Sequence, residues 1–269
     1  MIVGTILFLT ILFGGGVIET FFVSELDKGV KEYVVDKERR KDILADLKIS
    51  KQSIKQFNKD RKKQLKRYKK LNASRSTTLE ELNNFYVELH NDRLLFQNTM
   101  IVDRIAITKK IQPDEWVAIM ALAEVSIDKH KEKAQKKADK KKKKALKKDP
   151  DYVAEEDKGF DKTRKSVQKN VADMNKQQLI INGLDEMISS FKDLNSQIVS
   201  INVKENSTLI NQNSSKTELK KITEKINTLR DYGFNKLNSM HMLIKENTTE
   251  GEWDNVIKAF NNELSGSIR

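Results

Sequence analysis

The sequence predicts an all-α protein: an N-terminal transmembrane helix followed by two tandem three-helix, coiled-coil-like units, an internal duplication at an offset of about 137 residues. Three observations predict it. Only 2 prolines and 10 glycines occur in 269 residues, too few for a turn-rich β fold. The chain opens on a long uncharged stretch. Sliding the chain on itself by 137 positions lays Trp116 on Trp253, the only two tryptophans. The expected organisation is an anchor (1–25), a first repeat (26–128), a lysine-rich linker (129–161) and a second repeat (162–269).

Residues Ile2–Ile18 carry no charge; Phe21, Phe22 and Val23 extend the apolar run, and only Glu19 interrupts it. About 20 helical residues at ~1.5 Å each match the ~30 Å of a bilayer core. A secretory signal would show Lys or Arg before the run and a small-x-small site after it; neither is present. The reading is an uncleaved anchor, with the lipid bilayer as a partner through residues 2–23. Lys28, Lys31, Lys37, Arg39, Arg40 and Lys41 follow the segment. The positive-inside rule then predicts a single-pass inner-membrane protein with a cytosolic body; a periplasmic body is the alternative.

The 137-residue shift needs no gaps. It aligns Val30 with Val167, Asp36 with Asp173, Ile43 with Ile180, Leu47 with Leu184, Glu81 with Glu218, Arg93 with Arg230 and Glu115 with Glu252. Helix starts recur at the same spacing. Thr78-x-x-Glu81 and Ser215-x-x-Glu218 have the capping-box pattern, in which each side chain satisfies an unpaired backbone N–H. Thr249-x-x-Glu252-Trp253 matches Gln112-x-x-Glu115-Trp116, where Pro113 takes a first-turn position that tolerates proline. The expected helices are 27–71, continuous with the membrane segment, 79–110 and 113–128 in the first repeat, and 162–203, 216–246 and 250–265 in the second. Leu44, Leu47, Ile54, Phe57, Leu65 and Tyr68 recur at three- and four-residue steps, as do Ile181, Leu184, Ile188, Phe191, Leu194, Ile198 and Ile201. Such stripes read as the seam of a helical hairpin.

Between the repeats, positions 129–148 hold twelve lysines against Glu132 and Asp139. The formal charge of the whole chain is +12, so the basicity resides almost entirely in this run. Lys136, Lys137, Lys140, Lys141, Lys142, Lys143, Lys144, Lys147 and Lys148 are candidates for binding an anionic surface, sequence-independently and with salt sensitivity. A solvated spacer is the competing reading.

No cysteine and three histidines argue against disulfides and thiolate metal sites. The motifs of nucleotide-binding loops, zinc proteases and serine hydrolases are missing. No catalytic residue, cofactor, metal or small-molecule substrate is expected. The most specific candidates are two short amphipathic stretches, with Trp116, Ile119 and Met120 in the first half and Trp253, Val256 and Phe260 in the second. Each Trp is expected to plug the open end of its own hairpin, or to present a partner-binding face.

The Gln112–Trp116 and Thr249–Trp253 stretches loosely resemble the Leu-Thr-x-x-Gln helix starts of Spy/CpxP-type periplasmic chaperones, without that motif's Gln. A tethered pair of three-helix units resembles the spectrin-like division regulators in architecture. The expected function is a non-enzymatic, membrane-anchored scaffold or adaptor that positions a protein partner. An extracytoplasmic Spy/CpxP-like chaperone or stress sensor, and an accessory subunit of a larger membrane complex, are the alternatives.

Overall fold

Polar caps, in pairs 137 positions apart, divide the chain into helices. The Asp36 carboxylate accepts from the Arg39 amide at 2.7 Å, and Asp173 accepts from Asn175 and Lys176 at 2.8 and 3.2 Å. Thr78 with Glu81 and Ser215 with Glu218 form complete capping boxes. The computed structural model describes residues 26–125 and 160–266, together with Phe21, Val23, Lys136, Asp139 and Lys140. Its elements are α1 (Leu26–Tyr33), α2 (Lys37–Ala73), α3 (Leu79–Thr108), α4 (113–125), α5 (Asp161–Asn170), α6 (Met174–Lys204), α7 (Asn206–Ile210), α8 (Lys216–Glu246) and α9 (Glu250–Gly266). The protein is all-α, with no strand among the described residues.

Two expectations are corrected. Among the described residues no helix is long and apolar enough to cross a membrane. That finding overturns the transmembrane helix and the single-pass inner-membrane location. Most of 2–23 lies outside the described residues. Phe21 and Val23, which are described, are 0 % exposed within the protein's own core. Phe21 also has φ 46°, a left-handed conformation that no α-helix continues through. The second correction concerns the first helix of each half. Neither is continuous: α1 stops at Tyr33 and α2 restarts at Lys37, just as α5 stops at Asn170 and α6 restarts at Met174. Asp36 and Asp173 draw the breaks, because a carboxylate outcompetes the preceding turn for the first free N–H groups.

α2 and α3 form one antiparallel hairpin, α6 and α8 another. At ~1.5 Å per residue the 37 residues of α2 span about 55 Å. The hairpins meet through α3 and α8. These run antiparallel: Tyr86 stacks on Phe234 with ring centroids 4.4 Å apart, and further along Gln97 meets Asn227. The short helices return to the base of their own half. α9 packs on α5, and α9 also reaches the far end of α2 in the other half. α4 packs on α1 so closely that a Cβ at Gly29 would meet the Ile119 backbone at 3.0 Å; only glycine permits this approach.

The two hydrophobic cores do not coincide with the two halves. One joins the tip of the first hairpin (Leu65, Tyr68, Leu82, Phe85, Leu89) to the base of the second half (Val167, Ile180, Leu184, Leu237, Trp253, Phe260). The other joins the base of the first half (Leu26, Val30, Ile43, Met100, Trp116, Ile119) to the second hairpin's tip (Leu209, Leu219, Ile222, Ile226). A narrow apolar stripe covers too little area to stabilise a hairpin alone. Each half therefore completes the other.

This interleaving predicts a single cooperative thermal transition for the whole chain, with coincident curves from circular dichroism and tryptophan fluorescence. Asp36→Ala and Asp173→Ala should each lower stability by about 1 kcal/mol in urea titrations. Two separate transitions would contradict the arrangement.

Candidate functional site

The tryptophans mark the two places where the halves lock together. A helix leaves its last carbonyls without internal partners. Trp116, on α4, donates its indole N–H to the Ile210 carbonyl at 2.7 Å, at the end of α7. Trp253, on α9, donates to the Ala73 carbonyl at 3.1 Å, at the end of α2. Ala73 and Ile210 are themselves 137 positions apart. Each Trp thus packs in the open base of its own half, where the sequence suggested it, and in addition bonds the tip of the opposite half's hairpin. The cause is the antiparallel pairing of α3 with α8, which brings each base to the other's tip.

The surrounding bonds repeat across the two junctions. Arg75 donates to the Lys245 and Thr248 carbonyls at 3.2 and 2.7 Å. Its counterpart Gln212 donates to the Thr108 and Ile111 carbonyls at 2.9 and 2.7 Å. Under each indole lies one polar side chain, and here the chemistry differs. Arg104 sits 5.1 Å from the Trp116 ring centroid and donates to the Phe21, Leu209 and Asn211 carbonyls at 3.0, 2.6 and 3.1 Å. Burial lowers its pKa to about 10, so it stays charged at neutral pH. At the matching position His241 meets Trp253 edge-on, centroids 5.1 Å apart, and its Nδ1 lies 2.9 Å from the Asn72 Oδ1. Asn72 donates its amide to the Asn261 Oδ1 at 2.6 Å. That assignment leaves the Asn72 oxygen as acceptor and puts the imidazole proton on Nδ1. Burial, reinforced by the nearby Lys245 charge, lowers the His241 pKa to about 4.

Trp116, Ile119, Met120, Trp253, Val256 and Phe260 are all buried, so the structure places these candidates inside the junctions. Lys136 and Lys140 are helical and exposed; the remaining lysines of the run (Lys137, Lys141, Lys142, Lys143, Lys144, Lys147 and Lys148) lie outside the described residues. Between the junctions the α3–α8 contact carries polar groups that the stripes did not reveal. Gln97 and Asn227 exchange amide bonds at 3.1 and 2.8 Å, and Arg93 and Arg230 are buried nearby along the same helices. Tyr86 donates its hydroxyl to Asp231; burial and that carboxylate hold its pKa above the ordinary phenol value. The match of Arg93 to Arg230 was the one signal that this helix face is internal.

A groove of about 370 Å³ runs beside α1 and α2, floored by Leu44 and Leu47 and rimmed by Asp27, Lys31, Lys48, Lys51, Gln52 and Lys55. Lys51 pairs with Asp27, while Lys31, Lys48 and Lys55 are exposed. The steps from Lys48 to Lys51 to Lys55 set them on one side of α2, next to the apolar floor. No group of three His, Asp or Glu side chains among the described residues could hold a metal ion. Fold and junctions together define an all-α protein built of two reciprocally locked helical hairpins. Comparison of the chain with protein families, curated proteins and solved structures finds no match.

The junction chemistry makes a pH prediction. His241 has a lower pKa folded than the ordinary 6.5, so acid favours the unfolded chain. Stability should be full above about pH 6.5 and fall as the pH drops toward 4, by up to about 3 kcal/mol. His241→Phe should flatten that part of the profile. Trp253→Phe keeps a ring but removes the donor to Ala73, and should cost about 1 kcal/mol at every pH.

Proposed function

We propose that the protein is a non-enzymatic helical scaffold whose α1–α2 groove seats an acidic, partly apolar segment of a protein partner. The observation that carries this reading is the groove's composition: exposed Lys31, Lys48 and Lys55 above a floor of Leu44 and Leu47. A ligand matching it alternates carboxylates with apolar side chains, so that charge faces the rim and hydrocarbon meets the floor. Reciprocal tryptophan locks support the scaffold role, since they hold two long hairpins in one register. A partner seated on α2 would then stand at a fixed distance from anything bound elsewhere on the rod.

Charge reversal tests this. Lys31→Glu, Lys48→Glu and Lys55→Glu together should leave the thermal transition within a few degrees of the parent, because all three side chains are exposed. They should abolish cross-linking of the intact protein to an acidic amphipathic peptide bearing a photoreactive group. Binding of that peptide to the parent should weaken with added salt. Undiminished cross-linking in the triple variant would overturn the reading.

A further inference from the structure

The outward face of α3 is unlike the rest of this protein's surface. One third of all residues are charged, yet from Asn84 to Val102 the line opposite the buried side of α3 is Asn84, Val87, Asn91, Leu94, Leu95, Asn98 and Val102. Val87 is 55 % exposed, Leu94 40 %, Leu95 70 % and Val102 47 %; Asn84, Asn91 and Asn98 are exposed too. Glu88, at the edge of the line, is held by Arg67. The corresponding line on α8 is Lys221, Glu224, Thr228, Asp231, Tyr232, Asn235 and Ser239. An uncharged face of this length is therefore not a requirement of the fold.

The order of residues along the face says what covers it. Read outward from the bond between Leu94 and Leu95, the line is a palindrome: Leu94 mirrors Leu95, Asn91 mirrors Asn98, and Val87 mirrors Val102. Asn84 has no outward mirror, because Ile105 at the matching position packs against the core. Further along the same side of the helix stand Glu80 at one end and Lys109 at the other, both exposed, again equidistant from the centre and of opposite charge. A twofold contact demands a surface complementary to itself, with residue i facing j and j facing i. Steps of three and four residues on either side of the adjacent Leu94–Leu95 pair keep the line on one helix face.

We propose that α3 pairs with α3 of a second copy of this chain, antiparallel, about a twofold axis passing between Leu94 and Leu95. In that pairing Leu94 meets the partner copy's Leu95 at the centre and Val87 meets Val102. The Asn91 and Asn98 amides, each both donor and acceptor, bond across the seam. Glu80 faces Lys109 at both ends, which favours the antiparallel direction and penalises the parallel one, where like charges would align. A single helix pair is at the small end of stable interfaces, so dissociation is expected on the order of micromolar concentrations.

Sedimentation equilibrium of the full chain tests the proposal, and should show a monomer–dimer equilibrium. Leu94→Glu with Leu95→Glu should raise the dissociation constant at least ~10-fold while leaving the thermal transition of the monomer in place, since both side chains are exposed. Glu80→Lys alone should weaken the dimer, and adding Lys109→Glu should restore it. Native cysteine is absent, so oxidative cross-linking reads direction cleanly. A mixture of Val87→Cys and Val102→Cys chains should join in pairs, and Val87→Cys alone should not. A monomer at every concentration up to ~0.5 mM, a dimer insensitive to the leucine changes, or self-cross-linking of the Val87→Cys chain would each overturn it.

Discussion

The last turn of a long helix presents carbonyl oxygens with nothing inside the helix to receive. In this protein two helix ends, at Ala73 and Ile210, lie at the junctions between the halves. Each is met by an indole N–H from the other half of the chain. The donors can reach only if each hairpin lies antiparallel along its twin, with tip against base. The composition of the cores follows from that placement. So does the role of Arg75 and Gln212, which tie the loop after each long helix to the far end of the opposite hairpin.

Equivalent positions need not keep equivalent chemistry. Arg104 and His241 occupy one structural place in the two junctions and meet the same kind of neighbours: an indole and the end of a helix from the other half. Arginine fills its site as a permanent cation bonded to three carbonyls. Histidine fills the other as a neutral ring, with an asparagine pair in place of the carbonyls. A buried charge is tolerated where several oxygens converge on it, and a neutral imidazole where one amide does. The junctions therefore share geometry while differing in their response to acid.

Much of the secondary structure was legible because its signals are local. Capping boxes at Thr78 and Ser215, the helix starts before both tryptophans, and the three- and four-residue apolar steps each depend on residues within one turn. The breaks at Asp36 and Asp173 were equally local; the aligned aspartates were visible, but their role as caps was not drawn from them. Partner choice was beyond reach of periodicity. A stripe on α2 states that it is buried, not whether its cover comes from its own half. Trp116 and Trp253 mark the open ends of their own hairpins, and the second contact of each, with the tip of the other half, leaves no mark in the stripe for that reason. The apolar N-terminal stretch misled in a different way, since hydrophobicity alone does not distinguish a lipid environment from a protein interior. Phe21 and Val23 are packed in the latter. The groove on α2 is not legible in the sequence, because it forms where α1 folds back beside α2 after the break at Asp36.

Cores shared between distant parts of the chain bear on how the protein is made. Neither core can close during translation until the ribosome has passed Ile226, and the one holding Phe260 and Leu264 waits until those residues too have been made. At roughly 5–20 residues per second, Phe85, Leu89, Met100 and Trp116 emerge several seconds before the segments that cover them. During that interval the nascent first half exposes its apolar stripe to the crowded cell. Contacts of such large sequence separation also slow the search for the native state. Reciprocal locking thus exchanges early, piecewise folding for one late and concerted step.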